Sequence, residues 1–342
     1  MHTRPHLPGG DAFRPTPSGR QAGVRRSHVP DPAAALALVA EELLATEAML
    51  RTLVGSEVGA LTVVASYLAD SGGKRLRPAL TALGARAVAQ APSVRLMACG
   101  ELIHLGSLLH DDVVDQGDVR RGQPAAHVVY GNAVTVLAGD LCVARAISAA
   151  NAEGGAAVGS ALAATVAEMA EGEVLQLQRA GRVDATRDDY LEVIDRKAAS
   201  LIAWCASAAA LGIRAQDEAN ALAIYGRAIG RAFQIADDVL DFRTTTDKLP
   251  GADLRERKLT LPLLYALDRV PGLRARLADG GPSAAELGEW LARVRGCGAL
   301  EEALADARAF THQGITALGA LAPSPARDAL ETLAHAVVER TR

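Results

Sequence analysis

Apolar residues recur along this chain at three- and four-residue spacing, in long alanine-rich runs separated by short polar breaks. That is the period of amphipathic helices, not of strands. The pattern starts at Asp31-Pro32, an N-cap followed by proline at the first helical position, and predicts helix from Ala33 to about Val54 and again from Val58 to Ala69. Beyond the break at Ser71-Gly72-Gly73 it predicts helices from Pro78 to about Ala89 and from Ser93 to Asp115. Further helices are predicted over Asn132 to Ala150, Gly155 to Gln178, Tyr190 to Ala210, Glu218 to Phe242 and Leu259 to Leu267. Ala284 to Arg295, Ala299 to Leu321 and Ser324 to Glu339 complete the set, with polar loops over Gln116 to Ala126 and Thr244 to Lys258. No repeat period is visible. The expected fold is all-α, one large helical bundle over residues 31–342 around a central cavity.

Composition strengthens that reading. Hydrophobic residues make up 49% of the 342 positions but aromatics only 3%, a mixture that favours helix. Residues 1–30 hold five prolines and five arginines with little apolar surface, and are expected to be a disordered tail. A net charge of -4 and a pI near 6.1 argue against a nucleic-acid partner. Cys99, Cys142, Cys205 and Cys297 lie far apart, with neither a CxxC pair nor histidines at zinc-site spacing, and read as small buried hydrophobes. No secretory signal is apparent at the N-terminus, so a cytoplasmic protein is expected. The charge-free run Ala198 to Ile213 is shorter than the ~20 residues of a spanning helix and reads as a buried core helix.

The chemistry concentrates in two aspartate clusters. Asp111, Asp112 and Asp115 sit at the end of the long helix, with Asp111 and Asp115 one turn apart on one face. Asp237, Asp238 and Asp241 repeat the spacing at the end of another, where the helix dipole already disfavours anions. Like charges packed this way repel unless a hard divalent cation joins them, and Mg²⁺ suits carboxylates while keeping room for substrate phosphates. Arg120 and Arg121 follow the first cluster, and guanidinium forks match phosphate oxygens. The stretch GGKRLRP, residues 72–78, places Lys74, Arg75 and Arg77 after a glycine pair and reads either as a second anion site or as an ordinary charged loop. His104 lies two turns below Asp111 on the same face. Glu171, Glu173 and Gln176 either face solvent or line a polar cavity, and Lys197 at the edge of an apolar run can simply snorkel.

Together these motifs resemble the trans-polyprenyl diphosphate synthases, the polyprenyl synthetase family that includes farnesyl and longer-chain synthases. The resemblance covers about residue 35 to the C-terminus and rests on GGKRLRP at 72–78, ELIHLGSLLHDDVVD at 101–115, RRG at 120–122, EGE at 171–173 and GRAFQIADDVLD at 230–241, in that order. It implies the isoprenoid synthase type of helical bundle, a homodimer, and a transferase that condenses isopentenyl diphosphate with an allylic prenyl diphosphate to make a membrane-bound product. It implies Mg²⁺ held by Asp111, Asp112, Asp115, Asp237, Asp238 and Asp241, with Arg120 on the allylic diphosphate. Lys74, Arg77, His104 and Arg121 would bind isopentenyl diphosphate, and Lys197, Gln234, Lys248 and Lys258 would complete the allylic side. Asp111, Asp115, Lys197, Asp237 and Asp238 would carry catalysis through charge stabilisation, without a nucleophile.

Three positions depart from the family pattern: Ala198 for threonine, Leu249 for proline and Arg257 for glycine. Two rival functions share parts of this pattern. A class I terpene cyclase, a lyase, would not need the residues for a second diphosphate, and a non-catalytic partner subunit would normally have lost the aspartates. In short-chain members an aromatic four or five residues before the first aspartate blocks the growing tail. Here Ser107 and Gly106 stand there, so a long-chain product is expected unless a residue around 141–146 or Leu175 caps the path.

Overall fold

The computed structural model describes residues 31–69, 75–120, 123–243 and 250–339. The tail expected over residues 1–30 lies outside them, as do Lys74, Arg121, Lys248 and Leu249. Helices α1 (Pro32–Ala37), α2 (Ala40–Val54), α3 (Gly59–Ala69) and α4 (Leu76–Ala87) lead into α5 (Val94–Val114). The single helix expected over 33–54 is thus interrupted at Leu38 and Val39, where Val39 turns inward and is fully buried. The N-cap at Asp31 holds, its Oδ1 accepting from the Ala33 amide at 3.0 Å, and the structure adds a second at Ser93, whose Oγ accepts from the Leu96 amide at 3.2 Å.

A two-residue ladder, β1 (Val119–Arg120) with β2 (Gln123–Pro124), and the short α6 (Ala126–Tyr130) follow α5 within what reads as a loop. Next comes α7 (Asn132–Arg179), in which Gly155 at φ +79° kinks one long rod at the junction where the sequence pattern divides two helices. Helix α8 (Arg187–Ile194) passes through a π-helical turn, Asp195–Ala199, into α9 (Ser200–Gly212), and α10 (Gln216–Phe242) carries the second aspartate cluster. The chain ends with α11 (Ala252–Glu256), α12 (Leu261–Leu267), α13 (Leu273–Ala278), α14 (Leu287–Gly296), α15 (Ala299–Ala317) and α16 (Pro325–Glu339).

The core sits where α5 packs on α7, α9 on α4 and α10, and α15 on α10. Helix α9 is buried almost along its length, as its charge-free sequence predicts. Among the described residues one helix, α7, is long and apolar enough to cross a membrane by length and composition. Its apolar character serves packing against α5, α3 and α9 on one side and leaves Leu137 57% exposed on the other.

Candidate active site

One cleft, of about 230 Å³, is lined by Asp115 from the end of α5, Asp238 from α10, Lys197 from the π-turn, and Lys258 from the segment between α11 and α12. Gln234, Tyr190, Gln176, Arg179 and Glu256 also face it. The two aspartate clusters and the two lysines implied by the motifs therefore belong to one space.

At the first wall, Asp111 is mostly buried, and burial pushes its carboxyl up to about 6 against the pull of Lys197, with Glu173 and Asp115 adding repulsion. Carboxylates this crowded are short of positive charge, and their oxygens suit a hard divalent ion. Asp112, 2% exposed, points the other way: its Oδ1 accepts from Arg120 Nε at 2.6 Å and its Oδ2 from the Ala126 amide at 3.3 Å. It thereby ties Arg120 and the start of α6 to α5. His104 is half-buried two turns below, and Ser107 Oγ donates to its carbonyl at 2.9 Å.

At the second wall, both oxygens of Asp238 are engaged, Oδ2 by the Tyr190 hydroxyl at 2.7 Å and Oδ1 by Gln234 Nε2 at 2.9 Å. Burial raises the Asp238 carboxyl, Lys258 opposes this, and burial beside Asp238 raises the Tyr190 hydroxyl well above its ordinary value. Asp241 accepts the amides of Ala252 and Asp253 at 3.3 and 3.0 Å, anchoring the start of α11. Asp237 lies half-buried beside them. Burial alone would lower Lys258, but Asp238, Asp253, Glu256 and Asp241 hold it above the usual lysine range. Its Nζ is 3.8 Å from Asp253 Oδ1, while Asp253 Oδ2 and Thr260 Oγ1 are buried without a hydrogen-bond partner.

Lys197 is presented by the π-turn and paired with Glu173 of α7. The EGE motif explains the approach. A Cβ on Gly172 would lie 2.6 Å from the Lys197 amide nitrogen, so only glycine lets α7 touch the turn, while Glu171 takes Arg196 and Glu173 takes Lys197. The ambiguity over these glutamates is resolved: Glu173 lines up with the cleft lysine and Glu171 with a surface arginine.

At the candidate second anion site, Arg75 pairs with Glu47 and the Ala69 carbonyl and lies 3.6 Å from buried Glu101, while Arg77 stands 4.0 Å from the same carboxylate with its Nε buried and unpartnered. Tyr190 and Asp253 are site residues that pattern reading did not single out. Among the described residues no three aspartate, glutamate, histidine or cysteine side chains converge tightly enough to hold an ion unaided.

A helical cage whose cleft combines opposed carboxylates with two lysines defines a class of protein that binds an anion through cations, as a diphosphate-handling enzyme must. Residues 59–280 match the polyprenyl synthetase family model. The chain is 37% identical over 317 residues to octaprenyl diphosphate synthase of Escherichia coli K12, covering 89% of this chain and 98% of that one. A decaprenyl diphosphate synthase from Rhodobacter capsulatus superposes with a TM-score of 0.85 at 37% identity, covering 91% of this chain and 100% of the other. A polyprenyl synthase from Caulobacter crescentus CB15, complexed with calcium and isoprenyl diphosphate, superposes with a TM-score of 0.86 at 33% identity, covering 93% and 100%. The chain belongs to the polyprenyl synthetase family and is a trans-prenyltransferase.

Proposed function

We propose that the protein condenses isopentenyl diphosphate with an allylic prenyl diphosphate to give a long-chain trans-polyprenyl diphosphate and free diphosphate, with Mg²⁺ as its cation. The observation that carries this reading is the single cleft shared by Asp115, Asp238, Lys197 and Lys258. Lys197 and Lys258, each tethered by a carboxylate, neutralise the diphosphate as its bond to the allylic carbon breaks. The double bond of isopentenyl diphosphate then forms the new carbon–carbon bond, and the proton lost afterwards goes to the departed diphosphate. The apolar lining of Val193, Ile194, Leu177 and Leu259 excludes water from the cation. Arg77, with Lys74, Arg121 and His104, takes the second diphosphate.

Asp111, Asp112, Asp115, Asp237, Asp238 and Asp241 are the carboxylates that would hold divalent ions, which would supply charge that draws the diphosphate's electrons away from the allylic carbon. Asp112, Asp238 and Asp241 are hydrogen-bonded within the protein here and would share or exchange those partners.

The long-chain reading is supported by the names of the octaprenyl and decaprenyl relatives and by Ser107. Gly106 turns out to face α7: a Cβ there would lie 3.0 Å from the Gly139 carbonyl oxygen and 3.1 Å from Val143. Its size serves helix packing, which leaves Ser107, four residues before Asp111 on the same face, as the open position. A homodimer would cover the apolar face that includes Val58 and Leu137, each more than half exposed.

The deciding experiment incubates the purified protein with Mg²⁺, isopentenyl diphosphate and farnesyl diphosphate and identifies the products. Prenyl diphosphates longer than geranylgeranyl are expected. Cyclised hydrocarbon without consumption of isopentenyl diphosphate would favour the cyclase, and no turnover would favour a partner subunit.

A further inference from the structure

Arg257, directly before Lys258, stands in the left-handed region at φ +55°, ψ +33°, a conformation that favours glycine over any residue with a Cβ. Its half-buried side chain lies between two glycines that also have positive φ, Gly181 at +73° after α7 and Gly281 at +85° after α13. A Cβ on Gly181 would be 3.5 Å from Arg257 Cζ, and one on Gly281 only 3.2 Å from Arg257 Cγ. The backbone joins in: the Gly181 amide donates to the Arg257 carbonyl at 3.3 Å. Three loops thus meet at one side chain. Two of them are walls of the cleft, one contributing Ala180 and Ala185, the other Glu256, Lys258 and Leu259.

We infer that Arg257 is a positioning residue, which clasps the segment bearing Lys258 to the loop after α7 and so fixes how far Lys258 stands from the opposite wall. The side chain occupies the space that a Cβ on either glycine would need. Glycine at this position would relieve the strain and release the clasp. Because the kinetic part rests on the function proposed above, the test has an arm that does not depend on it.

The test compares Arg257→Gly and Arg257→Lys with the full-length wild type. Amide hydrogen exchange at Gly181 should become about tenfold faster in Arg257→Gly, while the thermal midpoint stays level or rises, since glycine suits this φ. The KM for the allylic substrate should rise about fivefold and that for isopentenyl diphosphate less than about twofold. Lysine, which keeps the stem over Gly281, should restore part of both effects. Unchanged Gly181 exchange overturns the clasp. Faster exchange with an unchanged allylic KM, or an equal rise in both KM values, overturns the positioning of Lys258. If the wild type does not condense the two substrates, the functional reading fails, and the exchange comparison still decides whether the clasp exists.

Discussion

Replacing Asp111 by Asn should make the metal-free protein more stable while removing its activity. Burial, with Glu173 and Asp115 adding repulsion, pushes the carboxyl up to about 6 in the fold from an ordinary value of 3.8. The folded chain therefore holds a proton that the unfolded chain has already released. Between those two values stability falls as pH rises, and above about 6 the full penalty is present. About two pH units at 1.36 kcal/mol each give roughly 2 to 3 kcal/mol, the gain expected for Asp111→Asn at pH 7 without divalent cations. The advantage should shrink as pH is lowered and vanish only below about pH 3, where the wild-type carboxyl is protonated in both states. Adding Mg²⁺ should reverse the order at pH 7, because only the wild type keeps the carboxylate we propose for the ion. Urea denaturation of both proteins at pH 7 and pH 4.5, with Mg²⁺ or with chelator, reads all of this. A metal-free Asp111→Asn variant less stable than wild type at pH 7 would refute the reasoning.

Other consequences can be checked separately. Tyr190→Phe leaves Asp238 Oδ2 without its 2.7 Å donor and should cost about 1 to 2 kcal/mol of stability, with a lower kcat for the condensation. Gly172→Ala drives a Cβ into the Lys197 backbone and should lower both the thermal midpoint, by an overpacking cost of about 1 to 3 kcal/mol, and kcat. An alanine variant with wild-type kcat would mean that the placement of Lys197 is not critical. Ser107→Phe should shorten the product in a soluble, folded enzyme, whereas Gly106→Phe should fail to fold because α7 occupies that space; product analysis and circular dichroism separate the two. Sedimentation at micromolar concentration should show a dimer that dissociates in Leu137→Glu.

Local signals made most of the architecture readable. Proline after Asp31, the helix start at Ser93, and the break between Ala150 and Gly155 are set over a few residues and appear in the fold close to where the pattern places them. The break at Leu38 and Val39 and the short α6 and α13 did not show, because packing against distant elements overrides weak helical propensity over five or six residues. The same limit applied within the site. Sequence grouped six aspartates by spacing, but which of them face the cleft depends on tertiary partners: Arg120 and the Ala126 amide for Asp112, the amides of Ala252 and Asp253 for Asp241. Gly106 had looked like an opening for the product and is a helix contact instead.

The π-turn at Asp195–Ala199 shows how a lysine that by pattern alone can snorkel comes to line the cleft. Helix α8 buries Tyr190, Val193 and Ile194, and α9 buries nearly all of Ser200 to Ala210. A residue inserted into a helix rotates everything after it by about 100° relative to what precedes it. The five-residue turn therefore lets α8 keep Tyr190 against Asp238 and α9 keep its apolar faces on α4 and α10, while Lys197 emerges between them toward Glu173. Without that insertion one of the two helices would have to turn its buried face outward. Gly172 is the complement on α7, since any larger residue would push the turn away and with it the lysine. The charge on Lys197 is thus placed by a backbone irregularity and a missing side chain, neither of which has a periodic signature along the chain.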